Sequence, residues 1–348
     1  MGNNKPEVFF APVKDAARLF DALRIGFIKE SSFVALKVHF GEIGNSAYLK
    51  PANIKPLIEK VKKLKALPFL TDANTLYKGT RSDAVNHMLT AYKHGYDFQN
   101  MGIPVIIADG LTGKESIQVS VNLKHFKEVK IAAAACHAEC MIVLTHFKGH
   151  DVTGFGGCLK NVGMGLGSRA GKQMMHADVR PIVNKEKCTA CGTCVKWCPT
   201  SAIKMINNKA VIDTGKCIGC GECVASCNFG AIAISYAGSP ASVQEKMVEY
   251  FYGVWKDKKD KIVFFNFLTD ISPNCDCYGR NDPPVAPDIG LLASYDPVAI
   301  DQASVDMVNK RTGSDKFREI YPDIDWSVQL SYAESLGIGT RQYELTEI

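Results

Sequence analysis

Phe33-Val-Ala-Leu-Lys-Val-His-Phe40 is followed by Pro51, then by Ile54, Leu57, Ile58, Val61 and Leu64, then by Pro68-Phe-Leu-Thr71. The first run reads as a strong strand. The spaced apolar positions opened by Pro51 read as a helix, and the third run reads as a short strand. The same alternation extends outward. A strand at 7–11 and an amphipathic helix at 14–29 precede it. A helix at 81–96, with Ala84, Met88 and Ala91 on one face, and strands at 104–108 and 141–147 follow. Towards the C-terminus come a helix at 241–256, strands at 261–268 and 290–294, a helix at 297–311 and a short helix near 326–336. This β-α-β-α order predicts an α/β fold: a largely parallel sheet with helices on both faces.

Two cysteine runs interrupt the pattern. Cys188-Thr-Ala-Cys191-Gly-Thr-Cys194-Val-Lys-Trp-Cys198-Pro199 and Cys217-Ile-Gly-Cys220-Gly-Glu-Cys223-Val-Ala-Ser-Cys227-Asn228 share the spacing C-x2-C-x2-C-x3-C. Three thiolates at that interval suit three corners of an iron–sulfur cube, and the fourth lies too far along to close the same one. The expected ligand sets are Cys188, Cys191, Cys194 and Cys227 for one [4Fe-4S] cluster, and Cys217, Cys220, Cys223 and Cys198 for the other. Zinc has no use for a third cysteine at the same short spacing, and nothing in the sequence points to the oxidising compartment that disulfides need. Residues 188–203 and 217–232 align as an internal repeat. The runs resemble the two-cluster bacterial ferredoxins, except that Asn228 stands where that pattern has proline. The expected organisation is a first α/β part at 1–183, a small α+β ferredoxin-like insertion at 184–237 and a second α/β part at 238–348.

Composition narrows the classes. The chain has 348 residues, 46% hydrophobic and 22% charged, as in globular proteins. Its formal charge of +5 treats 13 cysteines as neutral. Two cubes with thiolate ligands, at about −2 each, would bring it to roughly +1, so charge implies no nucleic acid. No apolar run reaches membrane-span length. Met1-Gly-Asn-Asn-Lys-Pro6 has no signal-peptide core, and Pro6 excludes the myristoylation pattern. The expectation is a cytoplasmic protein of an anaerobe or a reducing cell.

Ligands of open parallel sheets bind beyond the carboxyl ends of the strands. Polar residues gather at such ends: His39 and Glu42; Asp72, Asn74 and Arg81; Asp109; His146, Lys148, His150 and Asp151; Asp270 and Cys275-Asp276-Cys277. The glycine-rich stretch 154–167, with Lys148, Lys160, Arg169 and Lys172 around it, suits a small anion, although glycines also let backbones pack closely. It fits neither G-x-G-x-x-G nor a P-loop, and no flavin or nicotinamide motif is present. Cys275 and Cys277 offer a soft pair for an additional metal, or a redox pair. Asp72 alone could equally cap a helix, His87 and His94 read as structural, and Cys136 and Cys140 read as buried apolar cysteines. The candidate rim residues are Lys148, His150, Lys160, Asn161, Cys275 and Cys277.

His39-Phe-Gly-Glu, Asp72-Ala-Asn-Thr, Thr145-His-Phe-Lys-Gly-His150, Gly154-Phe-Gly-Gly with Lys160-Asn161, and Asp288-Ile-Gly-Leu-Leu-Ala-Ser with Asp296-Pro-Val-Ala-Ile-Asp301 together resemble the DUF362 family of iron–sulfur proteins. That resemblance implies the architecture and brings no reaction with it. A more distant similarity, in overall layout, is to the nickel-pincer lactate racemases. Two function classes fit. One is an oxidoreductase whose cubes pass single electrons to a small anionic substrate or metal at the rim, supplied by a ferredoxin-like partner protein. The other is an electron carrier or maturation factor that binds a partner without turnover of its own.

Overall fold

The computed structural model describes residues 5–77, 79–176, 181–217, 222–227, 229–233 and 239–348. Its centre is an eight-stranded sheet. From one edge the order is Glu344–Glu347, Glu7–Ala11, Gly290–Ser294, Ile262–Leu268, Cys140–His146, Phe33–Lys37, Leu67–Asp72 and Val105–Ile107. Gly290–Ser294 is antiparallel to both its neighbours, and every other pairing in this sheet is parallel.

Strand alternation explains why both faces are covered. Met141, Val143 and Phe264 face one apolar core, and Ile142, Leu144, Val263 and Phe265 face the other. The first core is closed by Leu159, Val162 and Leu166 of the helix Cys158–Leu166 and by Met247, Val248 and Phe251 of Pro240–Trp255. The second is closed by Leu19 and Phe20 of Ala16–Ala22 and by Ile54, Leu57, Ile58 and Val61 of Pro51–Lys63. Strands enclosed on both sides must be apolar throughout, which is why these runs read so clearly.

Some elements are shorter than expected. The first helix is a 3-10 turn, Val13–Asp15, then Ala16–Ala22. Arg24 adopts a left-handed φ of 49°, so the helix cannot continue towards residue 29. The helix expected at 81–96 is Ala84–Lys93, capped by the Asp83 side chain accepting from the Asn86 N–H. Arg81 thereby stays in the preceding loop, free to turn inward.

The cysteine-rich segment makes its own small sheets. Ile182–Val183 pairs antiparallel with Ile232–Ala233, and Ile203–Ile206 with Lys209–Ile212. Short helices, Thr193–Lys196 and Glu222–Ser226, carry cysteines. Contacts between the segment and the α/β part include Lys130 to Glu222, 2.5 Å; the Lys114 ammonium 4.1 Å above the Trp197 ring; and Leu76, which packs into the segment's core. Cys220 and Asn228 lie outside the described residues, as does the end of the expected insertion at 234–237. Among the described residues no helix is long and apolar enough to cross a membrane.

Candidate functional site

A cavity of about 570 Å³ opens at the carboxyl ends of the central parallel strands. All six candidate rim residues, Lys148, His150, Lys160, Asn161, Cys275 and Cys277, line it, with His39, Asp72, Arg81 and Lys172. Registry explains the convergence. Lys37 lies opposite Thr71 and Val143, and Phe267 opposite His146, so neighbouring strands reach the same rim together.

The floor is a buried charge network. Lys37 sits 3.0 Å from the Asp72 carboxylate and donates to the Asn161 side-chain oxygen at 2.7 Å. The same carboxylate is 3.6 Å from Arg81 and 3.8 Å from His87. Arg81 is also 3.4 Å from Glu42 and donates to the Tyr77 hydroxyl at 2.7 Å. Burial alone would raise the Asp72 pKa, but Lys37, His39, His87 and Arg81 together outweigh it and hold the carboxyl well below its usual range. Burial pushes His87 down to about 3. Asp72 is therefore the counter-ion of this network; the helix cap is Asp83.

A second carboxylate anchors the cysteine turn. Asp276 accepts from His146 at 2.9 Å and lies 3.0 Å from Lys148. His146 and Lys148 outweigh the effect of burial and hold its carboxyl well below the usual range. The flanking sulfurs face the cavity, with the Lys160 ammonium 3.6 Å from Cys275. Cys275 is held well below the ordinary thiol range, chiefly by the hydrogen bond from Cys277 and then by Lys160, against the opposing effect of burial. Burial would lower Lys160, but Cys275 raises it further, so the two form an ion pair. His150 accepts on Nδ1 from the Val152 and Thr153 N–H groups at 3.1 and 3.3 Å, and hydrogen-bonds Cys275. Its pKa is lowered by burial and then by Lys160. His176 is pushed down to about 4, chiefly by burial.

The glycine-rich stretch serves packing more than anion binding. It forms Gly154–Gly156, paired with Lys148–His150, and then the helix Cys158–Leu166. The first helical N–H groups, of Cys158 and Leu159, donate to the Asp301 carboxylate at 2.8 and 3.1 Å, so they are not offered to a ligand. A Cβ at Gly157 would lie 2.3 Å from that carboxylate, which makes glycine obligatory for its approach. Arg169 reaches the Leu76 carbonyl at 3.4 Å and does not line the cavity. Cys136 packs against one core and Cys140 against the other, so they share no site.

Four of the expected cluster ligands, Cys188, Cys191, Cys194 and Cys227, line one small cavity. Cys194 is pushed up by burial and then by the neighbouring Cys191, Cys227 and Cys188. Backbone N–H groups donate to the sulfurs: Ala210 to Cys188 at 3.4 Å, Ala231 to Cys227 at 3.3 Å and Ala202 to Cys198 at 3.2 Å. Such donors favour thiolate ligands. Cys227 thus lines the same cavity as three cysteines of the first run. Cys223 packs with Cys194 in the segment's core, beside the partly buried Cys198. Among the described residues no three His, Cys, Asp or Glu side chains are arranged to hold a single metal ion.

The sequence matches the family described as "Domain of unknown function (DUF362)" over residues 34–306, most of the chain. The chain belongs to the DUF362 family. No curated protein matches it. Solved structures similar to it include these two. The lactate racemase apoprotein from Thermoanaerobacterium thermosaccharolyticum is 10% identical, with a TM-score of 0.39 over 77% of this chain and 51% of that one. A structural-genomics protein from Thermotoga maritima is 10% identical, with a TM-score of 0.36 over 73% and 49%. This DUF362 chain spans about half the length of each.

Four residues in or beneath the cavity of this DUF362 chain were not singled out from the sequence: Leu76, Tyr77 and His176 in its lining and Lys37 in the charge network below. Lys37 looked like a strand residue, although a lysine in so apolar a run needs a buried partner. Tyr77 and His176 carried no signal, since each acquires its place only through the tertiary fold. Leu76 looked like an ordinary apolar residue. In the structure it lines the rim cavity and also packs into the cysteine segment's core with Cys194, Ile203, Cys223 and Val224.

Proposed function

We propose that the chain is an iron–sulfur redox protein in which two [4Fe-4S] clusters, held by Cys188, Cys191, Cys194 and Cys227 and by Cys217, Cys220, Cys223 and Cys198, exchange single electrons with a ligand bound in the rim cavity. The observation that carries this is Leu76, one side chain that touches both the cavity and the core containing Cys194 and Cys223. A redox centre must lie close to what it reduces, and Leu76 belongs to both the cavity lining and the cysteine segment's core. The chain's own residues supply the rest. Lys160 and His150 flank the Cys275 sulfur, Lys37 and Arg81 neutralise Asp72, and the buried walls limit access of water. In this reading the cysteine segment at 184–237 is an electron-transfer insertion, its partner is a ferredoxin-like protein and its compartment is a reducing cytoplasm.

Proximity can be read directly. A nitroxide attached to Cys275 in the anaerobic protein should broaden when the clusters are reduced to their paramagnetic state and sharpen again on oxidation. A linewidth indifferent to reduction would leave only the carrier reading.

A further inference from the structure

Cys275-Asp276-Cys277 is a turn, closed by the Tyr278 N–H donating to the Cys275 carbonyl at 3.0 Å. The first and third residues of such a turn lie near the Cα separation of roughly 5.5 Å that disulfides favour. The turn is held from several sides. The Glu42 N–H donates to the Asp276 carbonyl at 2.9 Å, and the Tyr77 hydroxyl to the Cys277 carbonyl at 3.2 Å. The Asp276 side chain points away from the sulfurs, onto His146 and Lys148. Both sulfurs line the cavity, whose volume is in the range of small-molecule sites. One is beside a cation and a histidine, and the other donates a hydrogen bond to it. A metal pair would need further ligands around the sulfurs, whereas a dithiol needs only a nearby proton carrier, which Lys160 is.

We propose that Cys275 and Cys277 are a redox-active dithiol that exchanges with a small disulfide admitted to the cavity, Cys275 attacking and Cys277 resolving. The Cys275 sulfur bonds to one substrate sulfur as the substrate S–S bond breaks, and the departing thiolate takes a proton from the Lys160 ammonium. Cys277 then gives its proton to the Lys160 amine and bonds to the Cys275 sulfur. This displaces the second half of the substrate as a thiolate. The protein pair is oxidised by two electrons and the substrate sulfurs are reduced by two, and exchange with a small dithiol runs the sequence backwards. Burial opposes ionisation of Cys275, but the Cys277 hydrogen bond and Lys160 prevail, so its thiolate is more accessible than that of an ordinary thiol. The exchange uses none of the cluster cysteines, so it stands or falls separately from the iron–sulfur reading.

The test uses the anaerobic full-length protein and cystamine as the disulfide. After acid quenching, free thiols are blocked with N-ethylmaleimide and the peptides are mapped by mass. The expected product is a Cys275–Cys277 disulfide with neither sulfur blocked. Cys277→Ser should stop at one cysteamine adduct on Cys275, and adding Lys160→Met should slow that adduct about tenfold or more at pH 6. The proposal is overturned if both cysteines of the unaltered protein remain fully blockable by N-ethylmaleimide. It is equally overturned if Cys277→Ser carries no adduct on Cys275.

Discussion

Asp72→Ala should lower the unfolding free energy by about 3–5 kcal/mol, because removing one partner of a buried ion network leaves the others charged and unpaired. Lys37 and Arg81 are both fully buried. Without Asp72, Lys37 keeps the Asn161 oxygen among the described residues, and Arg81 keeps Glu42 and Tyr77. Urea denaturation measures the loss. Asp72→Asn, which preserves an acceptor for Lys37, should cost less than the alanine. The pH dependence has a definite sign. The folded Asp72 pKa is depressed, so its contribution is complete above the unfolded carboxylate value of about 4. It fades as pH falls through the lower folded value, so parent and variant should converge in acid. A loss under about 1 kcal/mol at neutral pH would mean that the network is hydrated and not a buried counter-ion system.

Cys227→Ser should empty the cluster of the first cysteine run, not that of its own sequence neighbours. Cys227 shares a cavity with Cys188, Cys191 and Cys194. Iron should fall by about four atoms per chain, the content of one cube. The thiols newly open to alkylation should be Cys188, Cys191 and Cys194. Cys198→Ser should do the opposite, exposing Cys217, Cys220 and Cys223. Alkylation of Cys217, Cys220 and Cys223 in the Cys227→Ser protein would contradict the crossed ligand sets.

Much of the fold was legible because buried parallel strands and the helices that cover them write their periods into the chain. The run at 33–40 and the helix at 51–64 show this: both occur, as Phe33–Lys37 and Pro51–Lys63. Gly290–Ser294 was found as a strand but not as the one running backwards. Its apolar run has no direction, yet no helical pattern lies between 268 and 290, and a parallel return would need such a crossover. The edge strand Glu344–Glu347 and the hairpin of Ser116–Ser120 with Glu128–Ala132 were missed, because half-exposed strands carry little apolar signal.

The site divides along the same line. The cysteine runs were legible because their ligands are local in sequence apart from the exchanged fourth. The rim residues were legible as strand ends. Their partners were not, because each lies in a distant segment: Asp276 on His146 and Lys148, and Asp301 on the helix that follows Gly157. Asp301 changes the reading of the glycine-rich stretch most, since it occupies the amides that the sequence had offered to an anion.

As proposed, this DUF362 chain carries two one-electron centres beside its rim cavity. Iron, sulfide and zinc analysis of the anaerobically purified protein, with an electron paramagnetic spectrum after dithionite reduction, tests it most directly. The expected result is about eight irons and eight sulfides per chain, four of each per cube, and a spectrum of two neighbouring reduced clusters. Stoichiometric zinc, with no iron and no visible absorbance, would contradict it.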